Sequence, residues 1–158
     1  MRFYLPILLS LALAFLQIRN NQQDYRSLTD SIILNKPRSF EDLDRILRRY
    51  KKDTTVLNLL NTKARRTNYP EGLVYSRAHL GLYLQDKESF KMAHDHLIEA
   101  LGSSDQTQDP DYRVFVLTRL ALLHQQTDSL RTALFYNQDA LAIIDSLDTY
   151  SPTILLAK

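Results

Sequence analysis

The side chains able to do chemistry in this chain are few, and their spacing withholds most reactions. There are 4 His in 158 residues. His94 and His96 stand two positions apart, which on a helix points them to different faces and denies them a shared metal ion. His79 and His124 fall on separate segments, and no carboxylate stands near either at the spacing that zinc sites use. All four therefore read as structural or solvated. Cys is absent, which removes thiolate nucleophiles, disulfides, Cys-based zinc sites and a lipoprotein anchor. The chain contains no Gly-rich phosphate loop, no Gly-x-Ser-x-Gly turn and no His-Glu-x-x-His. No nucleophile and base are nominated, no metal or cofactor is expected, and the reading is of a protein that is not an enzyme.

Charge supplies the strongest rival signal. Arg45, Arg48, Arg49, Lys51 and Lys52, with Lys63, Arg65 and Arg66 nearby, could meet anionic lipid or nucleic acid. Glu41, Asp42, Asp44 and Asp53 interleave with them, and basic residues near a helix end complement its dipole. A solvated face is the plainer reading. The net charge of +2 is too small to argue for nucleic acid, so none is expected as a partner. The alternative is a cytoplasmic nucleic-acid-binding helical protein using its basic first helix pair, with affinity that falls steeply with salt.

The elements that must position any site are helices. Hydrophobic residues make up 44% and charged residues 24%, and only 3 Gly and 5 Pro punctuate the chain. Residues 1–19 are a different material: Arg2 precedes an apolar run from Leu5 to Leu16, with polar Asn20 to Gln23 after it. That order suits a secretory signal or N-terminal membrane anchor, and the run is short of the roughly 20 residues that span a bilayer. Export, or attachment facing the periplasm through the N-terminus, is expected. Residues 20–38 read as a linker. Ser39 with Asp42 opens a helix to Lys51, and Asp53 or Thr54 opens one to about Arg66. A third runs from about Glu71 to Gln85, and a fourth from Asp86 or Lys87 to Leu101, ended by Gly102. After the loop from Gly102 to Gln108, Asp109-Pro110 starts a long helix to about Gln126. Thr127-Asp128-Ser129 connects it to a helix ending near Leu147. Ser151-Pro152 repeats a helix start, which makes 152–158 an incomplete or capping helix.

The chain repeats itself at an offset of 40: Val74 with Val114, Leu80 with Leu120, Leu82 with Leu122, Gln85 with Gln125, Ala93 with Ala133 and Ala100 with Ala140. A fixed period of helix, short turn, helix is the mark of a helical solenoid. Within each unit, small residues at Gly81, Ala93 and Ala100, and at Ala121, Ala133 and Ala140, let two helices approach closely. Leu80-Gly81, Phe90, Ala93 and Ala100, then Leu120-Ala121, Leu130, Ala133 and Ala140, resemble the tetratricopeptide repeat. The period of 40 exceeds that family's usual value of about 34, and the late proline of its pattern is missing. The resemblance covers units 71–102 and 109–147, with 39–66 a divergent first pair, inside a repeat domain at 39–158.

That resemblance implies an all-α fold, a right-handed α-solenoid of antiparallel helix pairs, and a protein or peptide as ligand. It also implies a partner-binding groove along the first helix of each unit, lined by Tyr75, Ala78, Leu82, Gln85, Phe115, Thr118, Arg119, Leu122 and Gln125. The bland reading of Tyr75, Leu82, Phe115 and Leu122 is packing between adjacent units. Exported repeats of this kind resemble the N-terminal regions of bacterial sensor kinases and helix-turn-helix regulators, so a scaffold or sensing part of a signalling regulator is the function implied.

Overall fold

Capping oxygens and left-handed stops divide the chain into helices. The computed structural model describes residues 22–147. The helices are α1 (22–35), α2 (Phe40–Leu47, continued by a 3-10 turn at Arg48–Tyr50), α3 (Thr54–Arg66), α4 (Pro70–Asp86), α5 (Phe90–Ser104), α6 (Asp111–Gln126) and α7 (Leu130–Asp145). The fold is all-α, with no strand among the described residues. Ser39 Oγ accepts from the Asp42 amide at 3.4 Å, and Asp53 Oδ1 accepts from the Thr55 and Val56 amides at 2.9 and 3.2 Å. Each oxygen answers N–H groups that a first helical turn leaves without a partner.

The stops repeat as regularly as the starts. Asn68, Glu88 and Asp128 sit at φ 48°, 58° and 56°, just beyond α3, α4 and α6. The next amide in each case returns to a carbonyl five residues back: Tyr69 to Ala64 at 2.9 Å, Ser89 to Leu84 at 2.9 Å and Ser129 to His124 at 2.8 Å. This is the hydrogen bonding of a Schellman stop, made here without glycine. It reverses the chain in three residues, so that α5 folds back along α4 and α7 along α6. It also moves the start of α5 to Phe90, later than Asp86 or Lys87, because those residues belong to the end of α4 and its turn.

Two further boundaries differ from expectation. The segment expected as a linker contains α1, because Tyr25, Leu28 and Ile32 recur at helical spacing among polar residues and bury one stripe against the core. The Thr29 hydroxyl bonds back to the Tyr25 carbonyl at 2.9 Å, and Lys63 of α3 reaches Asp30 at 2.6 Å. Gly102 does not end α5, which runs on to Ser104. No glycine has positive φ, so Gly102 supplies no left-handed stop. The Ser103 and Ser104 hydroxyls bond to the Glu99 and Leu101 carbonyls at 3.0 and 2.7 Å within that last turn. The expected signal region 1–19 and the short helix at 152–158 lie outside the described residues.

Small residues bring the paired helices together. A Cβ at Gly81 would stand 2.9 Å from Leu97 Cγ and 3.2 Å from the Ala93 carbonyl oxygen, so α4 and α5 meet where only hydrogen fits. Leu80, Ala93, Ala100, Leu120, Ala121, Ala133 and Ala140 are buried, as the spacing anticipates. Leu130 is the exception at 65% exposed, whereas its equivalent Phe90 packs against the core. The reason is positional: α6 lies against α5, but no described helix covers that side of α7, where Leu134 and Leu141 are also exposed.

Candidate binding groove

The helices α2, α4 and α6 converge towards their N-terminal ends. Phe40 of α2 inserts there, its ring centroid 5.8 Å from Tyr75, 5.1 Å from Tyr112 and 4.9 Å from Phe115. Asp109 Oδ2 accepts from the Phe40 amide at 2.7 Å, and Tyr112 donates its hydroxyl to the Ser39 carbonyl at 3.3 Å. The loop before α6 therefore caps α2 across the molecule. Tyr69 adds a hydroxyl bond to the Pro37 carbonyl at 2.5 Å, which fixes the chain entering α2.

Along α4 the residues Tyr75, His79, Leu82 and Asp86 share one stripe, and along α6 Phe115, Arg119, Leu122 and Gln126 share the equivalent one. Rings stack along and across the two helices: Tyr75 on His79 within α4 at 4.1 Å, His79 on Phe115 of α6 at 5.3 Å, and the Arg119 guanidinium 5.0 Å from the Phe115 centroid within α6. Tyr75 donates to Asp44 Oδ1 at 3.1 Å, and Lys51 Nζ pairs with the same carboxylate at 2.7 Å. Burial pushes the Tyr75 phenol well up, with the Asp44 charge adding to it. Burial drives His79 down to about 4, against the Tyr75 carbonyl that accepts from its Nδ1–H at 3.0 Å.

Sequence-expected groove residues thus divide into a closed end and an open end. Tyr75 and Ala78 are 0% exposed and belong to the core, with Phe40 packed against the Tyr75 ring. Phe115 is half-buried beneath Phe40 and Arg119, and the Thr118 hydroxyl is spent on the Val114 and Phe115 carbonyls at 3.0 and 2.8 Å. Leu82, Gln85 and Arg119 are half-buried, Leu122 is 37% exposed and Gln125 is exposed. Gln85 donates to Gln126 Oε1 at 2.7 Å, so the bridge between helices falls on Gln126 rather than on Gln125. His79, Asp44, Phe40 and Gln126 were not anticipated at this seam. His79 stands four residues after Tyr75, as Arg119 does after Phe115, and that shared register was the available signal.

The other anticipated groups lie apart. His94 and His124 meet edge-on at 5.4 Å between α5 and α6, and His124 stacks on Tyr136 at 5.5 Å. Burial, then the neighbouring His94, lowers the His124 pKa. Among the described residues no three or more metal-binding side chains gather. Within the basic cluster, Arg45 pairs with Asp42, Lys51 with Asp44, Lys52 with Asp86 and Lys63 with Asp30, while Arg48, Arg49, Arg65 and Arg66 are exposed. A cleft of 330 Å³ between α1 and α3, floored by Tyr25 and Leu59, brings together no titratable cluster. No described helix is long and apolar enough to cross a membrane.

Compared with known proteins, the chain matches no family model, no curated protein and no solved structure. The class its fold defines is an all-α array of helix hairpins, with a seam between α4 and α6 that is sealed by aromatic rings at one end and open at the other.

Proposed function

We propose that this chain is a tetratricopeptide-type α-solenoid, right-handed and built of antiparallel helix pairs, that holds a protein or peptide segment in the open end of the α4–α6 seam. In this reading it works outside the cytoplasm, as the scaffold or sensing part of a signalling regulator. The observation that carries the proposal is the composition of that open end: Leu82 and Leu122 are partly exposed, each about one helical turn from a half-buried polar side chain, Gln85 and Arg119. Apolar anchors beside polar side chains are what a bound peptide uses. The repeat supports the solenoid. Two hairpins share the same left-handed turn and the same buried alanines, and α7 presents exposed leucines at the positions that α6 covers on α5. The apolar run from Leu5 to Leu16 supports export.

A photo-crosslinking amino acid placed at Leu122, with a control at the exposed Lys91 on α5, tests the groove in the native cell. Crosslinked polypeptide from position 122 and none from 91 is the expected result, and equal labelling at both would overturn it. Fractionation of the same cells tests location, since recovery of the full-length chain in the cytosol would sink the exported reading.

A further inference from the structure

Arginines that hold helices together in this protein are paired. Arg77 on α4, 8% exposed, reaches Glu99 on α5 at 2.7 Å, and Arg113 on α6 bonds to Asp105. Arg119 differs. It is half-buried over the Phe115 ring, its Nε is shut off from solvent with no acceptor, and no carboxylate among the described residues pairs with it. Burial alone lowers its pKa, whereas at Arg77 the Glu99 charge works against burial. Asp44, whose charge His79 senses together with that of Arg119, is already committed to Lys51 and the Tyr75 hydroxyl.

A guanidinium partly withdrawn from water without a counter-charge carries a free-energy cost that an acidic partner would relieve. On the facing helix, Gln85 Oε1 is also buried without a partner while its Nε2 is bonded to Gln126. Turning the amide over would only exchange which of its two atoms is unanswered. An arriving carboxylate would accept from the Nη groups of Arg119, and a backbone peptide group can bond to Gln126, which is exposed and bridges to Gln85.

We propose that Arg119 is the recognition point for an aspartate or glutamate side chain in the bound peptide, with Leu82 and Leu122 receiving its apolar neighbours and Gln126 one of its backbone groups. This rests on the peptide-binding reading above and narrows it to an acidic ligand. Arg119 and Gln126, the partner of Gln85, are seven residues apart on α6. That places the two polar contacts about 10 Å apart along the helix, the reach of about three residues of extended peptide.

Selection of terminally blocked random peptides on the full chain tests this, followed by titration of a selected peptide against its copy with Glu→Gln or Asp→Asn. Blocking both ends removes the terminal carboxylate as a source of the signal. Enrichment of an acidic residue is expected, with about tenfold to hundredfold weaker binding of the amide copy. In Arg119→Gln the acid and amide peptides should bind alike, and Arg119→Lys should keep part of the preference. Equal binding of the two peptides by the unaltered chain overturns the inference without needing any variant to fold. If peptides are selected and Leu122→Glu abolishes their binding, but no acid is preferred, the groove stands and the role of Arg119 falls. If no peptide is selected, both fall.

Discussion

Lowering the pH from neutrality should destabilise the protein through His79. The ring is 4% exposed, held between Tyr75 at 4.1 Å and Phe115 at 5.3 Å, and no carboxylate bonds to it. Loss of water disfavours the imidazolium; the Tyr75 carbonyl and Asp44 favour it, and Lys51 and Arg119 oppose it. The balance leaves the folded-state value at about 4. In the unfolded chain the same ring titrates near about 6.5. Between those values the unfolded state binds more protons than the folded state, so stability rises with pH across the window. The contribution is intact above about 6.5 and is lost progressively as pH falls to about 4. At about 1.36 kcal/mol for each pH unit, the whole window is worth roughly 3 kcal/mol, and roughly 2 kcal/mol of it is lost by about pH 5. Urea denaturation followed by circular dichroism from about pH 7.5 to about pH 5, on the unaltered chain and on His79→Phe, measures this. The phenylalanine keeps a ring in the stack and binds no proton, so the variant should lose roughly 2 kcal/mol less stability over that range. Parallel pH profiles for the two chains would refute the reasoning, because His94, His96 and His124 are present in both.

Two glycine-to-alanine changes should act with opposite signs in thermal denaturation. Gly81→Ala forces a Cβ to 2.9 Å from Leu97 Cγ and 3.2 Å from the Ala93 carbonyl oxygen, and should destabilise by about 1–3 kcal/mol. Gly102→Ala meets nothing within 4 Å inside the last turn of α5 and should stabilise by about 0.5–1 kcal/mol. At the turn between α4 and α5, Glu88→Gly should stabilise by roughly 0.5–1 kcal/mol, since relief of the left-handed φ of 58° outweighs the added freedom of the unfolded chain. Asp128→Gly should gain less, because Asp tolerates that conformation better than Glu does. Equal gains in denaturant midpoint at the two turns would contradict that account.

Much of the helical framework could be read from local signals. Ser39 and Asp53 announce α2 and α3 by capping chemistry, and the offset of 40 anticipates two hairpins whose small residues are buried in the structure. These readings succeed because caps, helical periodicity and small-residue spacing act within a few turns of chain. The misreadings are local as well. Gly102 looks like a stop, yet a glycine ends a helix only where the backbone turns left-handed, and α5 does so nowhere before Ser104. Glu88 and Asp128 make that turn without the residue type that would advertise it. In α1 a narrow apolar stripe is hidden among polar residues, and only contact with the core shows that it suffices.

The groove is where local information ends. Tyr75 and Leu82 occupy one stripe of one helix, and nothing in their spacing separates them. One is sealed and the other partly open because Phe40 and Asp109, 69 residues apart, meet at one end of the seam. The standing of Arg119 is likewise a property of arrangement. Glu99 falls to Arg77, Asp105 to Arg113 and Asp44 to Lys51, which leaves the half-buried Arg119 guanidinium without a carboxylate among the described residues. Sequence alone determined that this chain makes paired helices in a repeating register, because those choices are settled by neighbours a few residues away. Which face stays open, and which charge stays unanswered, was decided only by the tertiary structure, since both depend on distant side chains competing for the same space and the same counter-charges.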